Sequence, residues 1–465
     1  MLDAIIAHKR VEVRARLTSP LSSLLQGLPP STRSLEAALR QRGRRFVLEA
    51  KRKSPSRGGI HPGLSAEDVV EAYEHVADAI SVLTDAHFFG GDFDILRNIA
   101  SKTALPVLCK DFVVDVRQVA EARRHGADAI LLMLSVLDDD TAAKCLDLCA
   151  QLQMDALVEA HDEQELRRAL SLGASLVGIN NRNLKTLHVD LNVTRRLAPL
   201  VPDHVTLVSE SGIGSRADAK DLGSLVDGFL VGSALTGAGD MAAAARSLVV
   251  GDVKVCGLTS VEDAQVACDA GASHLGVIFA EQSKRRVTPE VARQVALSTR
   301  LPTVGVFTTH DVDAIVDTVT RSGLQAVQLH GGHDDRARQM LRERLPAHID
   351  IWQAVGVDVQ ASAVDVDDLP DLNSVDRLLF DTAVGGRSGG TGQAFAHDAL
   401  RAVPQLHRHA LAGGLTPDNI QHADAVGVGL LDVNSGVEDA PGVKNPQKLR
   451  ALFDALRGEG RRHAA

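Results

Sequence analysis

Two tandem (β/α)8 TIM barrels, the first carrying an N-terminal helical extension, are the α/β fold that this 465-residue sequence predicts. Three observations carry that expectation. Short Val/Leu/Ile-rich runs alternate with helix-length segments, the pattern of parallel strands buried on both faces. The runs number eight, stop, and start again near the middle of the chain. The chain also writes the same ending twice. LVSESGIG (Leu207 to Gly214) with DGFLVGSAL (Asp227 to Leu235) returns as LAGGL (Leu411 to Leu415) with GVGLLDVNSGVE (Gly427 to Glu438). Each pair is two apolar runs that stop at small residues, where backbone N–H groups and a helix N-terminus can approach an anion closely. In a barrel of this type the last two strands hold a phosphorylated ligand, so two endings imply two sites.

In chain order, residues 1–45 read as an amphipathic helix, a loop at Leu28-Pro29-Pro30, and a second helix from Ser34. From Phe46 the runs FVLEA, AISVL, PVLCK, DAILLML, DALVEA, SLVGIN, VTLVSE and DGFLVG make the first barrel. From Asp252 the runs DVKVC, HLGVIF, TVGVF, AVQLH, IWQAV, RLLFD, ALAGG and VGLLDV make the second. The boundary falls at Val250 to Gly251 with almost no linker, giving domains 1–250 and 251–465.

Bulk properties bound the function. Sixty acidic residues against fifty basic ones give a net charge of −10, and no basic tract is long enough to follow a nucleic-acid backbone. Nucleic acid is not an expected partner. Five cysteines, Cys109, Cys145, Cys149, Cys256 and Cys268, are an odd and scattered set that suits a reducing cytosol. The start MLDAIIAHKR lacks a secretory apolar core, and no run is long enough to cross a membrane. A cytoplasmic monomer acting on small molecules is expected.

Chemistry in such barrels sits where strands end at the C-terminal face, so polar residues there converge from distant positions. Strand one of the first half ends in Glu49 and Lys51, with Lys53 and Ser54 just beyond; strand three ends in Lys110, five in Glu159, six in Asn180, seven in Glu210 and Ser211. Lysines and glutamates crowded into one apolar ring shift each other's pKa values toward acid and base work. A structural ion-pair network is the competing reading; the number of such groups beside a phosphate cradle favours catalysis.

These residues carry a resemblance. EAKRKSPSRGG (Glu49 to Gly59), PVLCKDF (Pro106 to Phe112), LVEAHDE (Leu157 to Glu163), GINNRNL (Gly178 to Leu184) and SESGI (Ser209 to Ile213) resemble indole-3-glycerol phosphate synthase over most of residues 1–250. The resemblance implies closure of a pyrrole ring on a carboxyphenylamino deoxyribulose phosphate, with loss of carbon dioxide and water and with no metal or organic cofactor. It implies Lys110 as general acid and Glu159 as general base, with Glu49 and Lys51 orienting substrate or sharing protons. The division of proton transfers between Lys51 and Lys110 stays open. Asn180 would hold a sugar hydroxyl or the carboxylate, Arg182 would pair with the carboxylate, and Glu210 and Ser211 would lie against the substrate. Lys53, Ser54, Gly212, Gly232 and Ser233 would bind phosphate.

The second half opens with KVCGLT, placing Cys256 at the end of its first strand; Arg285 follows strand two, and Asp381 ends strand six before a Gly-rich loop. A thiol base, a carboxylic acid and an arginine suit a proton-transfer isomerase of a sugar phosphate. CGLT, QLHG (Gln328 to Gly331), GGTG (Gly389 to Gly392), AGGL and DVNSGVE are similar to phosphoribosylanthranilate isomerase over nearly all of residues 252–455. The resemblance implies an Amadori rearrangement in which Asp381 protonates the furanose oxygen and Cys256 removes the proton beside the Schiff base. Arg285 would hold the anthranilate carboxylate, Gln328 and His330 would contact substrate, and Gly389, Gly390, Gly413, Gly414, Ser435 and Gly436 would surround the phosphate. The isomerase product is the synthase substrate, which gives the fusion a metabolic reason.

One departure is visible: the family continues its Gly-rich loop into Phe-Asp-Trp, and this chain has Phe395-Ala396-His397. The missing Asp is expected to be a helix cap, at a small stability cost. The alternative is that only one barrel is catalytic and the other is a phosphate-binding or stabilising module. Other sugar-phosphate isomerases would show paired aspartates at strand ends, against which Lys110 and Glu159 argue. Four features are set aside: Cys145 and Cys149 as buried small residues, His407 and His409 as solvated, Asp365 to Asp371 as a solvated loop, and Asp138-Asp139-Asp140 as a helix N-terminus.

Overall fold

The computed structural model describes residues 2–54, 58–59, 63–384, 387–388 and 394–461. The chain forms two compact units, one running up to Val249 and including the segment from Arg457 onward, the other Val250–Leu456.

In the first unit the predicted apolar runs become strands β1 (Arg45–Ala50), β2 (Ala79–Leu83), β3 (Val107–Lys110), β4 (Ala129–Met133), β5 (Asp155–Ala160), β6 (Leu176–Asn180), β7 (Thr206–Glu210) and β8 (Gly228–Val231). Neighbours in sequence are neighbours in the sheet, and β1 pairs in parallel with both β2 and β8, which closes the barrel. The strands are apolar on both faces because both are covered: one set of side chains fills the barrel, the other meets the surrounding helices. Val47, Leu108, Leu131, Leu157, Val208 and Leu230 form the central cluster, joined by Leu35 and Leu39 from the extension.

The extension contains helices Leu2–Arg16, Leu21–Leu25 and Leu35–Leu39. Ser34 caps the last of these, its side chain accepting the Ala37 N–H. The long helix is fastened by Lys9, whose fully buried Nζ lies 2.9 Å from Asp85, just past β2, and 2.9 Å from Asp111, just past β3. A lysine buried this way is stable only in such company. Asp138 caps helix Asp139–Gln151 through the Thr141 N–H, and Cys145 and Cys149 are buried on that helix.

The second unit repeats the plan with β9 (Val253–Val255), β10 (His274–Ile278), β11 (Thr303–Phe307), β12 (Ala326–Leu329), β13 (Asp350–Asp358), β14 (Arg377–Val384), β15 (Ala410–Leu411) and β16 (Leu430–Val433). Parallel pairing of β9 with β16 and of β13 with β14 completes this ring. Its centre holds Val304, Trp352, Leu379, Ala410 and Leu430. Ala396 is the N-cap residue of a short 3-10 turn, His397–Leu400, and supplies no side-chain cap. His407 is exposed, but His409 is not solvated as the sequence led us to expect. It is buried, and its Nδ1 faces the Leu378 N–H at 3.3 Å, because the turn before β15 folds it under β14. Among the described residues no helix is long and apolar enough to cross a membrane, and all five cysteines are free.

Candidate active sites

Strand ends in the first unit surround a cavity of about 780 Å³ whose walls include Glu49, Lys51, Lys110, Glu159, Asn180, Arg182, Ser211, Gly212, Gly232 and Ser233. Lys110 Nζ lies 3.0 Å from Glu49 Oε2 and 3.6 Å from Glu210 Oε2, and Lys51 Nζ lies 2.6 Å from Glu49 Oε1. Burial alone would raise the Glu49 carboxyl, but the charges of Lys110 and Lys51 outweigh it and bring its pKa down to about 2. Burial works against the Lys110 ammonium in the same way, and Glu49, Glu210 and Glu159 together raise its pKa above the ordinary lysine range. Lys110 therefore stays charged over the whole neutral range. Glu210 is fully buried, and burial first, then the charge of Glu159, pushes it up to about 8. Asn180 donates to Glu159 Oε2 at 3.0 Å and accepts the Arg182 backbone N–H at 3.0 Å, tying β5 and β6 at the rim.

Backbone shape explains the small residues. Ser211 and Gly212 both adopt positive φ, at 65° and 91°, so the chain leaves β7 in a tight turn along the cavity wall. Gly232 passes so close to Glu49 that a Cβ would collide with its carboxylate. Ser233 then opens the helical turn Ser233–Thr236. Lys53 is exposed on the short hairpin Lys53–Ser54 with Gly58–Gly59 and is not in the cavity wall; Ser54 shares that strand.

In the second unit a cavity of about 400 Å³ is lined by Cys256, Arg285, Gln328, His330, Asp381, Gly413, Gly414 and Ser435. Gly436 is not in that wall, and Gly389 and Gly390 lie outside the described residues. Burial, reinforced by the charge of Asp432, raises the Asp381 carboxyl to about 7. Burial also raises the Cys256 thiol, against the pull of Lys254. Arg285 is gripped by Glu438, with Nη2 2.6 Å from Oε2, and Lys444 approaches the other oxygen of Glu438 at 2.8 Å.

Four contributors escaped the sequence reading: Lys254, Asp432, Glu438 and Lys444. Lys254 is fully buried, donating to Gln328 Oε1 at 2.6 Å and Asp432 Oδ2 at 2.7 Å, while Gln328 Nε2 meets His330 Nε2 at 2.8 Å. The visible signal was a charged residue inside an apolar strand, Lys254 in DVKVC and Asp432 in LLDV.

The arrangement can transfer protons at both sites and seat an anion beside each. Comparison with known proteins gives the family. Residues 2–248 match the family model for indole-3-glycerol phosphate synthase, and residues 253–455 match that for N-(5'phosphoribosyl)anthranilate (PRA) isomerase. Two proteins called Tryptophan biosynthesis protein TrpCF are similar along nearly the whole chain. The one from Yersinia pestis is 43% identical over 460 residues, covering 98% of this chain and 94% of the relative. The one from Vibrio parahaemolyticus is 44% identical over 463 residues, again covering 98% and 94%. A crystal structure of phosphoribosyl anthranilate isomerase from Thermus thermophilus is 32% identical, covers 44% of this chain and 98% of its own, and has a TM-score of 0.39. The chain belongs to the family of bifunctional tryptophan-biosynthesis enzymes that join an indole-3-glycerol phosphate synthase to a phosphoribosylanthranilate isomerase.

Proposed function

We propose that the second unit converts N-(5-phosphoribosyl)anthranilate to carboxyphenylamino-deoxyribulose phosphate, and that the first closes the indole ring on that product. In the second unit Asp381, still protonated near neutral pH, gives its proton to the furanose oxygen as the ring opens. Cys256 then takes the proton beside the resulting Schiff base, with Lys254 beneath it favouring the thiolate. Arg285 pairs with the anthranilate carboxylate, presented by its fork with Glu438. The cavity wall of Gly413, Gly414 and Ser435 seats the phosphate.

In the first unit Lys110 protonates the ketone oxygen as the aromatic carbon attacks it. Carbon dioxide leaves, Glu159 accepts a proton, and the hydroxyl departs as water after protonation by a lysine or by Glu210. Glu49 holds Lys51 and Lys110 in place, Asn180 and Arg182 orient the substrate, and Ser211, Gly212, Gly232 and Ser233 receive the phosphate. The observation that carries this reading is the meeting of Glu49, Lys110, Glu159 and Asn180, from strands β1, β3, β5 and β6, around one cavity.

The described walls of each cavity come from one chain, which supports a monomer, and five free thiols support a cytoplasmic setting. The test is to assay the two reactions separately in Lys110→Ala and Cys256→Ala proteins. Each substitution is expected to abolish one activity and spare the other. Isomerisation that survives Cys256→Ala at full rate overturns the roles given to the second unit.

A further inference from the structure

Beside the first cavity two buried polar atoms face each other without an aligned hydrogen bond. His161 Nε2 stands 3.3 Å from Glu159 Oε1, and neither atom has a hydrogen-bond partner among the described residues. The other side of the imidazole is anchored. Nδ1 lies 3.0 Å from Glu165 Oε2, and the same oxygen accepts the His161 backbone N–H at 2.8 Å. Glu165 is itself fixed in the first turn of helix Glu163–Ser171, its N–H donating to the capping Asp162. A carboxylate at Nδ1 keeps a proton on that nitrogen, so any second proton on the ring points at Glu159.

Glu159 and Glu210 are two buried carboxyls of the same site. Glu210, on β7, is fully buried, and burial first, then the charge of Glu159, raises its carboxyl. Lys110 is 3.6 Å from Glu210, whereas His161 is the titratable group within ion-pair distance of Glu159 among the described residues. The charged groups acting on His161 are Glu165 from the following helix, Glu159 from β5 and Glu210 from β7. Burial opposes the imidazolium, but these three outweigh it and raise its pKa.

We propose that His161 is a positioning residue of the first site: its imidazolium, anchored by Glu165, sets a fixed positive charge against Glu159 Oε1 and so holds that carboxylate in place as the base. The inference rests on the reading of Glu159 as general base. The imidazolium transfers no proton itself; it supplies a fixed positive charge 3.3 Å from the base.

The test uses the full chain and follows the pH dependence of kcat/KM for ring closure. His161→Gln is expected to move the acid limb to higher pH by about one unit. The rate then falls by up to about tenfold on the acid side of the parent's own limb and stays within a few-fold of the parent on the alkaline side. Glu165→Gln, which leaves the ring in place but loosens it, is expected to move the limb the same way by less. An acid limb unmoved in both variants, or a loss equal at all pH values, overturns the proposal. Glu159→Gln separates the two ideas. If it retains ring closure, the assignment of the base falls and this inference with it. If it is inactive while His161→Gln leaves the profile unmoved, this inference falls alone.

Discussion

Lys110 Nζ lies 3.0 Å from Glu49 Oε2, joining the end of β3 to the end of β1 at the edge of the first cavity. Each favours the charged form of the other: the pKa of Glu49 is brought down to about 2, and that of Lys110 is raised above the ordinary lysine range. Replacing Lys110 with Ala is expected to lower kcat for ring closure by 10²–10⁴, the usual value of a positioned general acid, with isomerisation unchanged. A drop of less than tenfold in steady-state kcat would remove Lys110 from that role.

Glu49 also predicts a pH dependence of stability. Its folded pKa, about 2, is below the ordinary 4.5, so the unfolded chain binds the proton more tightly. The carboxylate therefore contributes stability above pH 4.5 that is lost as pH falls toward 2. Urea midpoints of the first unit can be read from Tyr73, the only tyrosine, whose hydroxyl donates to the Glu49 carbonyl at 3.2 Å. The gap between parent and Glu49→Gln should narrow over that range; a constant gap contradicts it.

Asp381 has the opposite sign. Its folded pKa, about 7, is above the ordinary 3.8, so stability rises as pH falls from 7 toward 3.8 and is lowest at alkaline pH. Asp381→Asn should be more stable than the parent at pH 8 by about 1 kcal/mol or more. Its isomerase kcat should fall by 10²–10⁴. Trp352, the only tryptophan and buried in the second unit, reports that unfolding by fluorescence. Equal stabilities at pH 8 would refute the strain.

Gly232→Ala places a methyl group against the Glu49 carboxylate. We expect a loss of roughly 1–3 kcal/mol from overpacking, and a higher KM for the phosphorylated substrate of the first unit. An unchanged KM would show that the close approach has no bearing on phosphate binding.

Ala396→Asp tests the departure noted in the sequence. Because Ala396 stands at an uncapped N-cap position, an Asp there should stabilise the second unit by about 0.5–1 kcal/mol. Isomerase kcat should not change. A changed kcat would mean that this position touches substrate rather than only ending a turn.

Much of the first site was legible because a barrel converts position along a strand into position in space. Glu49, Lys110, Glu159 and Asn180 end separate apolar runs, and such ends meet at one face. Lys53 and Gly436 show where that rule weakens: each follows a strand, yet loop geometry keeps it out of the cavity wall. His409 was misread because a polar residue before a strand looks solvated until the turn above it is known.

The one-dimensional pattern decided the two rings, their order, the extension and the residues at the rims, since burial on both strand faces is a local property of composition. Only the folded chain decided which charges pair. Arg285 meets Glu438 across 153 positions, Lys254 meets Asp432 across 178, and His161 turns back onto Glu159. Those pairings depend on strand register and on exclusion of water, and Coulomb energies change several-fold with both. Proton affinity at these sites is thus a property of the tertiary structure, while the identity of the groups that carry the protons is written in the chain.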